Sequence, residues 1–126
     1  MSLPAIHPTL QEIFLAEGTT SIATTPVVAV FVAPINGIIS NVMAAAGGTT
    51  TGTIAVAVTI NGGSDITNSL LTIAAGTGAR NNPPLALAKV GASAHAVSEG
   101  DLITITPSGG TGASIPGAFS VAIRQT

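Results

Sequence analysis

His7 and His95 are the only imidazoles in the chain and there is no cysteine. Nucleophilic catalysis would therefore need a hydroxyl activated by one of these two rings, with an acid to orient it. Ser93, His95 and Asp101 are the set that sequence proximity offers. Nothing around Ser93 reads as the strained glycine-flanked elbow that exposes a serine nucleophile. His95 instead lies in an alanine-rich stretch with the character of a strand, so a structural histidine is expected and no enzyme activity. Metal binding needs clustered ligands, but Glu12, Glu17 and Asp65 stand apart and only Glu99 and Asp101 are close together. A calcium site at that pair competes with a reading in which both carboxylates accept backbone N–H groups in a tight turn, which needs no ion. The glycine pairs lack the lysine and the following helix of a phosphate loop. No cofactor and no metal are expected.

Charge narrows the field further. Arg80, Lys89 and Arg124 are the only basic residues and the net charge is -2, too little positive charge for the phosphate contacts of nucleic-acid binding. No basic segment precedes an apolar run at the N-terminus. The longest apolar stretch, residues 27–35, contains Pro34 and falls far short of the roughly 20 residues of a membrane-spanning helix, so neither a secretory signal nor a membrane helix is read. Charged residues make up only 6% of the 126 residues and apolar residues 46%, against about 25–35% charge on an ordinary soluble surface. Such a surface is either clothed in Thr, Ser, Asn and Gly or buried against neighbours. The threonine-rich segments at 49–51 and 104–106 are too irregularly spaced for an ice-binding ladder, and without Trp or Tyr there is no stacking platform for a sugar.

The elements that must carry this surface are strands. Ile54, Val56, Val58 and Ile60 alternate with small or polar residues at period two and stop at Asn61-Gly62-Gly63, a strand followed by a tight turn. Phe119, Val121 and Ile123 repeat the pattern at the C-terminus, and Ile103 and Ile105 do so over residues 101–106, with Pro107 predicted to end that strand by removing a donor. Further strands are predicted near 37–45, 69–74 and 85–97, separated by glycine-rich turns and by Pro83-Pro84. Residues 26–33 differ: Val28, Val30 and Val32 on one face are matched by Val27, Ala29, Phe31 and Ala33 on the other. A strand apolar on both faces is either central in a two-layer sandwich or lies between the sheet and a neighbouring subunit. Pro4 and Pro8 favour extended backbone in the first twenty residues, where 10–16 suit a short helix or an edge strand. Leu10, Ile13, Phe14 and Leu15 are too apolar for a free tail, so this arm is predicted to dock on its own domain or on a neighbour. The glycine- and serine-rich residues 108–117 should form an exposed tip. The whole is an all-β, antiparallel β-sandwich or jelly roll of about seven or eight short strands, with an arm over 1–20 and one domain over 21–126.

The order of Ala-Pro-Ile-Asn-Gly-Ile-Ile (33–39), Val-Thr-Ile-Asn-Gly-Gly (58–63), Ser-Glu-Gly-Asp-Leu-Ile-Thr-Ile (98–105) and Phe-Ser-Val-Ala-Ile-Arg (119–124) resembles the small jelly-roll capsid decoration proteins of tailed bacteriophages, also called cement or head-fibre proteins. The likeness covers about residues 20–126 and rests on turn and strand grammar that trimeric jelly rolls such as tumour-necrosis-factor-like domains share. It implies a homo-oligomer, commonly a trimer, made in the host cytoplasm and seated on the virion surface where major capsid subunits meet. No family motif transfers a role to a single residue. The interface expected from the residues themselves is Val27, Ala29, Phe31 and Ala33 together with Leu10, Ile13 and Phe14 of the arm. The expected partners are further copies of the chain and the major capsid protein. The alternative is a receptor- or glycan-binding fibre-tip module using the loops at 108–117 and 81–84.

Overall fold

The computed structural model describes residues 12–67, 71–76 and 95–126. Within them lie eight strands: β1 (Glu12–Thr19), β2 (Ala29–Val32), β3 (Gly37–Ala46), β4 (Ile54–Ile60), β5 (Thr72–Ile73), β6 (Ala96–Val97), β7 (Leu102–Ser108) and β8 (Gly117–Gln125). They form two four-stranded antiparallel sheets, ordered β1-β8-β3-β6 and β2-β7-β4-β5. The pairs β1·β8, β2·β7, β3·β6 and β4·β5 are antiparallel, and β8 also meets β3 while β7 also meets β4. The fold is thus an all-β sandwich.

Alternation decides which side chains fill the space between the sheets. Ile54, Val56 and Val58 from β4, Ile103 and Ile105 from β7, and Phe119, Val121 and Ile123 from β8 are all buried there, as the period-two pattern requires. Each such side chain withdrawn from water contributes about 1.5–3 kcal/mol. With no disulfide in the chain, this core carries the fold.

The turn at 60–63 has the geometry its residues foretell. Asn61 and Gly62 have φ values of 52° and 75°, and the Gly63 N–H donates to the Ile60 carbonyl at 3.0 Å, the type I′ arrangement that matches strand twist. The chain then returns along β4: Ile66 N–H donates to Val58 O and Val56 N–H to Leu71 O, ahead of the β5 pairing.

Two expectations change, and two others fall wholly or partly outside the described residues. The arm is, over Glu12–Thr19, an edge strand paired with β8 along its whole length, so it docks on its own domain and the sandwich begins at least eight residues before position 21. Leu10 lies outside the described residues, as do 85–94 of the strand expected at 85–97, of which Ala96–Val97 forms β6. Pro107 does not end its strand, for β7 runs to Ser108. Val56, opposite Pro107, turns its N–H toward Leu71 on the other side, so this is a non-hydrogen-bonded pair and the proline nitrogen faces away from β4. On that side the register with β2 stops at Ala29↔Ile105, and no ladder donor is missed.

Candidate interaction surface

The strand that sequence leaves apolar on both faces lies, among the described residues, at the edge of its sheet, with β7 as its partner there. Its two faces therefore have different fates. Ala29 and Phe31 of β2 and the adjoining Ala33 point into the sandwich and are buried in the protomer's own core. They have almost no surface left to offer a partner. The opposite parity remains outside: Val28 is 45% exposed, Val30 43% and Val32 60%, while Val27, in the lead-in, is 43% exposed. Ala29, Phe31 and Ala33, expected at an interface, are thus core residues, and the exposed parity of this segment is Val28, Val30 and Val32.

Register extends this stripe across the sheet. Val32 pairs with Leu102, itself 42% exposed, and Val30 with Thr104, which in turn faces Thr59. Ala57 opposite Thr106 and Ala55 opposite Ser108 continue it. None of these side chains is ionisable, whereas the solvent face of an antiparallel sheet is normally polar and charged. The stripe is also held firmly. Thr19 Oγ1 donates to Val27 O at 2.9 Å and Val27 N–H to Ser21 O at 2.9 Å, while Ala33 N–H donates to Asp101 O at 2.9 Å beyond the strand's other end. A surface fixed before binding loses little further freedom when a partner covers it.

A second apolar patch lies on the outer face of the other sheet. Ile13 and Leu15 pair with Ile123 and Val121 and turn inward, which turns Phe14 outward, 67% exposed. Phe14 flanks a shallow recess whose other walls are Asn41 and Met43 of β3 and Ser120 and Ala122 of β8. Met43 is 42% exposed. A β-bulge between Ile39 and Asn41 shifts the β3·β8 register here, so that Asn41 falls opposite Ala122 and Met43 opposite Ser120.

Two of the polar candidates, Asp101 and Asp65, make hydrogen bonds within the fold. The Asp101 carboxylate accepts the Ser98 N–H at 2.8 Å and the Asn61 amide at 3.0 Å, and these two bonds, the backbone one foremost, hold its pKa below the usual value. Asn61 Oδ1 accepts the Leu102 N–H at 2.8 Å, and Glu99 gives its backbone N–H to Asn36 Oδ1 at 2.7 Å. Together they latch three loops at one end of the sandwich. Asp101 is thus committed to Ser98 and Asn61. His95 is buried and its Nδ1 has no partner among the described residues, while Ser93 lies outside them. No group of three or more His, Cys, Asp or Glu side chains that could hold a metal occurs among the described residues. Asp65 accepts the Val58 N–H at 3.0 Å and both the N–H and hydroxyl of buried Thr67 at 2.9 Å, an internal brace for the returning chain. The loop at 108–117 is exposed at its tip, but Ile115 is tucked under it and buried; residues 81–84 lie outside the described residues.

No protein-family model matches this chain, and no match was found among curated proteins or solved structures.

Proposed function

We propose that this protein is a structural subunit of a phage virion, a capsid decoration protein that self-associates and attaches to the outer shell. The observation that carries the self-association is the valine stripe on the outer face of β2, rigid, uncharged and half exposed. The rolled pairing of β1 with β8, β2 with β7, β3 with β6 and β4 with β5 supports a jelly roll as the form of the sandwich. The capsid reading draws on the resemblance of residues 33–39, 58–63, 98–105 and 119–124 to decoration proteins, and a trimer is the assembly that this resemblance favours.

In this reading the two outer faces divide the work. The Val28, Val30, Val32 and Leu102 face joins copies of the chain, and the face around Phe14 and Met43 meets the major capsid protein. Adhesion is by area: each copy covers about 1,000 Å² or more of shell, and an oligomer engages several such sites at once. Co-sedimentation with phage heads assembled without the protein tests the attachment. Wild type pellets with heads, and Phe14→Asp stays in the supernatant with its melting temperature unchanged. Pelleting of both would remove the Phe14 face from the mechanism, and pelleting of neither would remove the capsid reading.

A further inference from the structure

Two Asn-Gly steps occur in the chain, Asn36-Gly37 and Asn61-Gly62. Asparagine before glycine is the pairing most open to spontaneous deamidation, because glycine has no side chain to keep its backbone nitrogen away from the neighbouring amide carbon. Both asparagines lie at one end of the sandwich, where each helps to hold the loop that carries Ser98 to Leu102. Their glycines stand in opposite surroundings. Gly37 is buried in β3 between β8 and β6, facing Gln125 and Val97, and a Cβ there would run into the Arg124 carbonyl oxygen. The backbone at that step has no room to rotate into a five-membered ring. Gly62 is exposed at the tip of the turn after β4, with nothing within 4 Å of its Cβ position. Its N–H makes no hydrogen bond among the described residues.

We propose that Asn61 is a site of spontaneous deamidation, guarded by Asp101, and that its product releases the loop latch at this end of the sandwich. In the reaction the Gly62 nitrogen gives up its proton to solvent base and attacks Asn61 Cγ. The N–Cγ bond forms, the Cγ–Nδ2 bond breaks, and Nδ2 leaves as ammonia with a proton from water. Water then opens the succinimide at either carbonyl, giving aspartate or isoaspartate. One water is consumed, one ammonia is released, and nothing is oxidised or reduced. The latch sets the pace. Asp101 Oδ1 accepts from Asn61 Nδ2 at 3.0 Å and the Leu102 N–H donates to Asn61 Oδ1 at 2.8 Å, so both ends of the amide are held while the turn is closed, and the attack belongs to its open state. The same contacts make the change consequential. An aspartate at position 61 offers Asp101 an acceptor and a second negative charge where it had a donor. An isoaspartate lengthens the two-residue turn by a methylene, so the Gly63 N–H can no longer keep its 3.0 Å bond to Ile60 O. Leu102, on the outer apolar face, then loses its tie to Asn61.

Peptide mapping by mass spectrometry, on the folded full chain and on the chain unfolded in urea, follows both steps over weeks at neutral pH. In urea, where only the local sequence acts, Asn36 and Asn61 should convert at similar rates. In the folded chain Asn61 should convert about tenfold faster than Asn36 or more, since the exposed turn opens far more readily than a central strand. Asp101→Ala should speed conversion of Asn61 about fivefold, the order of one lost hydrogen bond, and leave Asn36 unchanged. Asn61→Asp, the product itself, should melt lower than wild type at neutral pH, and that deficit should shrink in acid as the two carboxylates are protonated. Conversion of Asn36 as fast as Asn61 in the folded chain would overturn the proposal. So would an intact Asn61 over a period in which the unfolded chain is converted, or an unaltered rate in Asp101→Ala. A melting temperature equal to wild type in Asn61→Asp would sink the release of the latch.

Discussion

Replacing Val28, Val30 and Val32 together by threonine is the perturbation that separates the fold of the single chain from the proposed self-association. Threonine has nearly the shape of valine and suits a strand as well. Because all three side chains face outward, each change should leave protomer stability within about 0.5 kcal/mol. The interface feels it differently. Complete burial of a valine side chain is worth about 1.5–3 kcal/mol, and with 45%, 43% and 60% of these residues still exposed, covering each one in an assembly yields about half of that. Three valines then contribute about 2–4 kcal/mol per interface, and losing that contribution weakens association roughly thirtyfold to several hundredfold at 1.4 kcal/mol per decade. Sedimentation velocity over a hundredfold range of concentration reads the effect, with urea unfolding as the control. A triple variant that matches wild type in its mass-against-concentration curve would refute the assignment of this face.

Three further outcomes follow from the interior and the loops. Asp65→Ala strips the acceptor from the Val58 N–H and from both donors of buried Thr67, and should cost about 2–4 kcal/mol in urea unfolding; Asp65→Asn, which keeps an oxygen there, should cost less, and a loss under about 1 kcal/mol for the alanine variant would contradict the brace. Gly117→Ala places a Cβ 2.3 Å from Ile22 Cγ2, inside a fully buried side chain, and should cost about 1–3 kcal/mol by overpacking. Gly62→Ala meets no atom but must adopt a φ of +75°, so Ile22→Ala, which removes the clashing Cγ2, should show a favourable coupling with Gly117→Ala in a double-mutant cycle and none with Gly62→Ala. Asp101 has a folded pKa held down by Ser98 and Asn61, so its contribution to the loop latch is present above the ordinary aspartate value of about 3.9 and is lost as pH falls through the lower folded value. A carboxyl-carbon titration of Asp101 with its midpoint at or above the ordinary value would show that the latch is absent.

Much of the sandwich is legible in the sequence because its central strands are half buried. Alternation at Ile54, Val56 and Val58, at Ile103 and Ile105, and at Phe119, Val121 and Ile123 declares both strand and inward face, and Asn61-Gly62 names its turn type. The outward face of residues 27–33 was less legible for a physical reason. In residues 27–33 both parities are apolar, so alternation carries no information about which one faces the core. Only the position of β2 at the edge of its sheet, a fact of long-range pairing, puts Ala29 and Phe31 inside and Val28, Val30 and Val32 outside. Pro107 misleads in the same way, since its cost depends on whether a neighbour stands on the nitrogen's side, and β2 is too short to be there. The recess at Asn41 arises from a bulge, which shifts register without changing composition. The one outward hint was Met43, the large apolar side chain among the small residues of the second half of β3.

Multi-angle light scattering of the wild-type chain across serial dilution tests the central claim most directly. A structural subunit that joins copies through its valine face should hold a multiple of its 12.2 kDa chain mass, a trimer foremost, down to micromolar concentration. A constant single-chain mass at every concentration would mean that the valine face has no partner among copies of this protein, and would contradict the account.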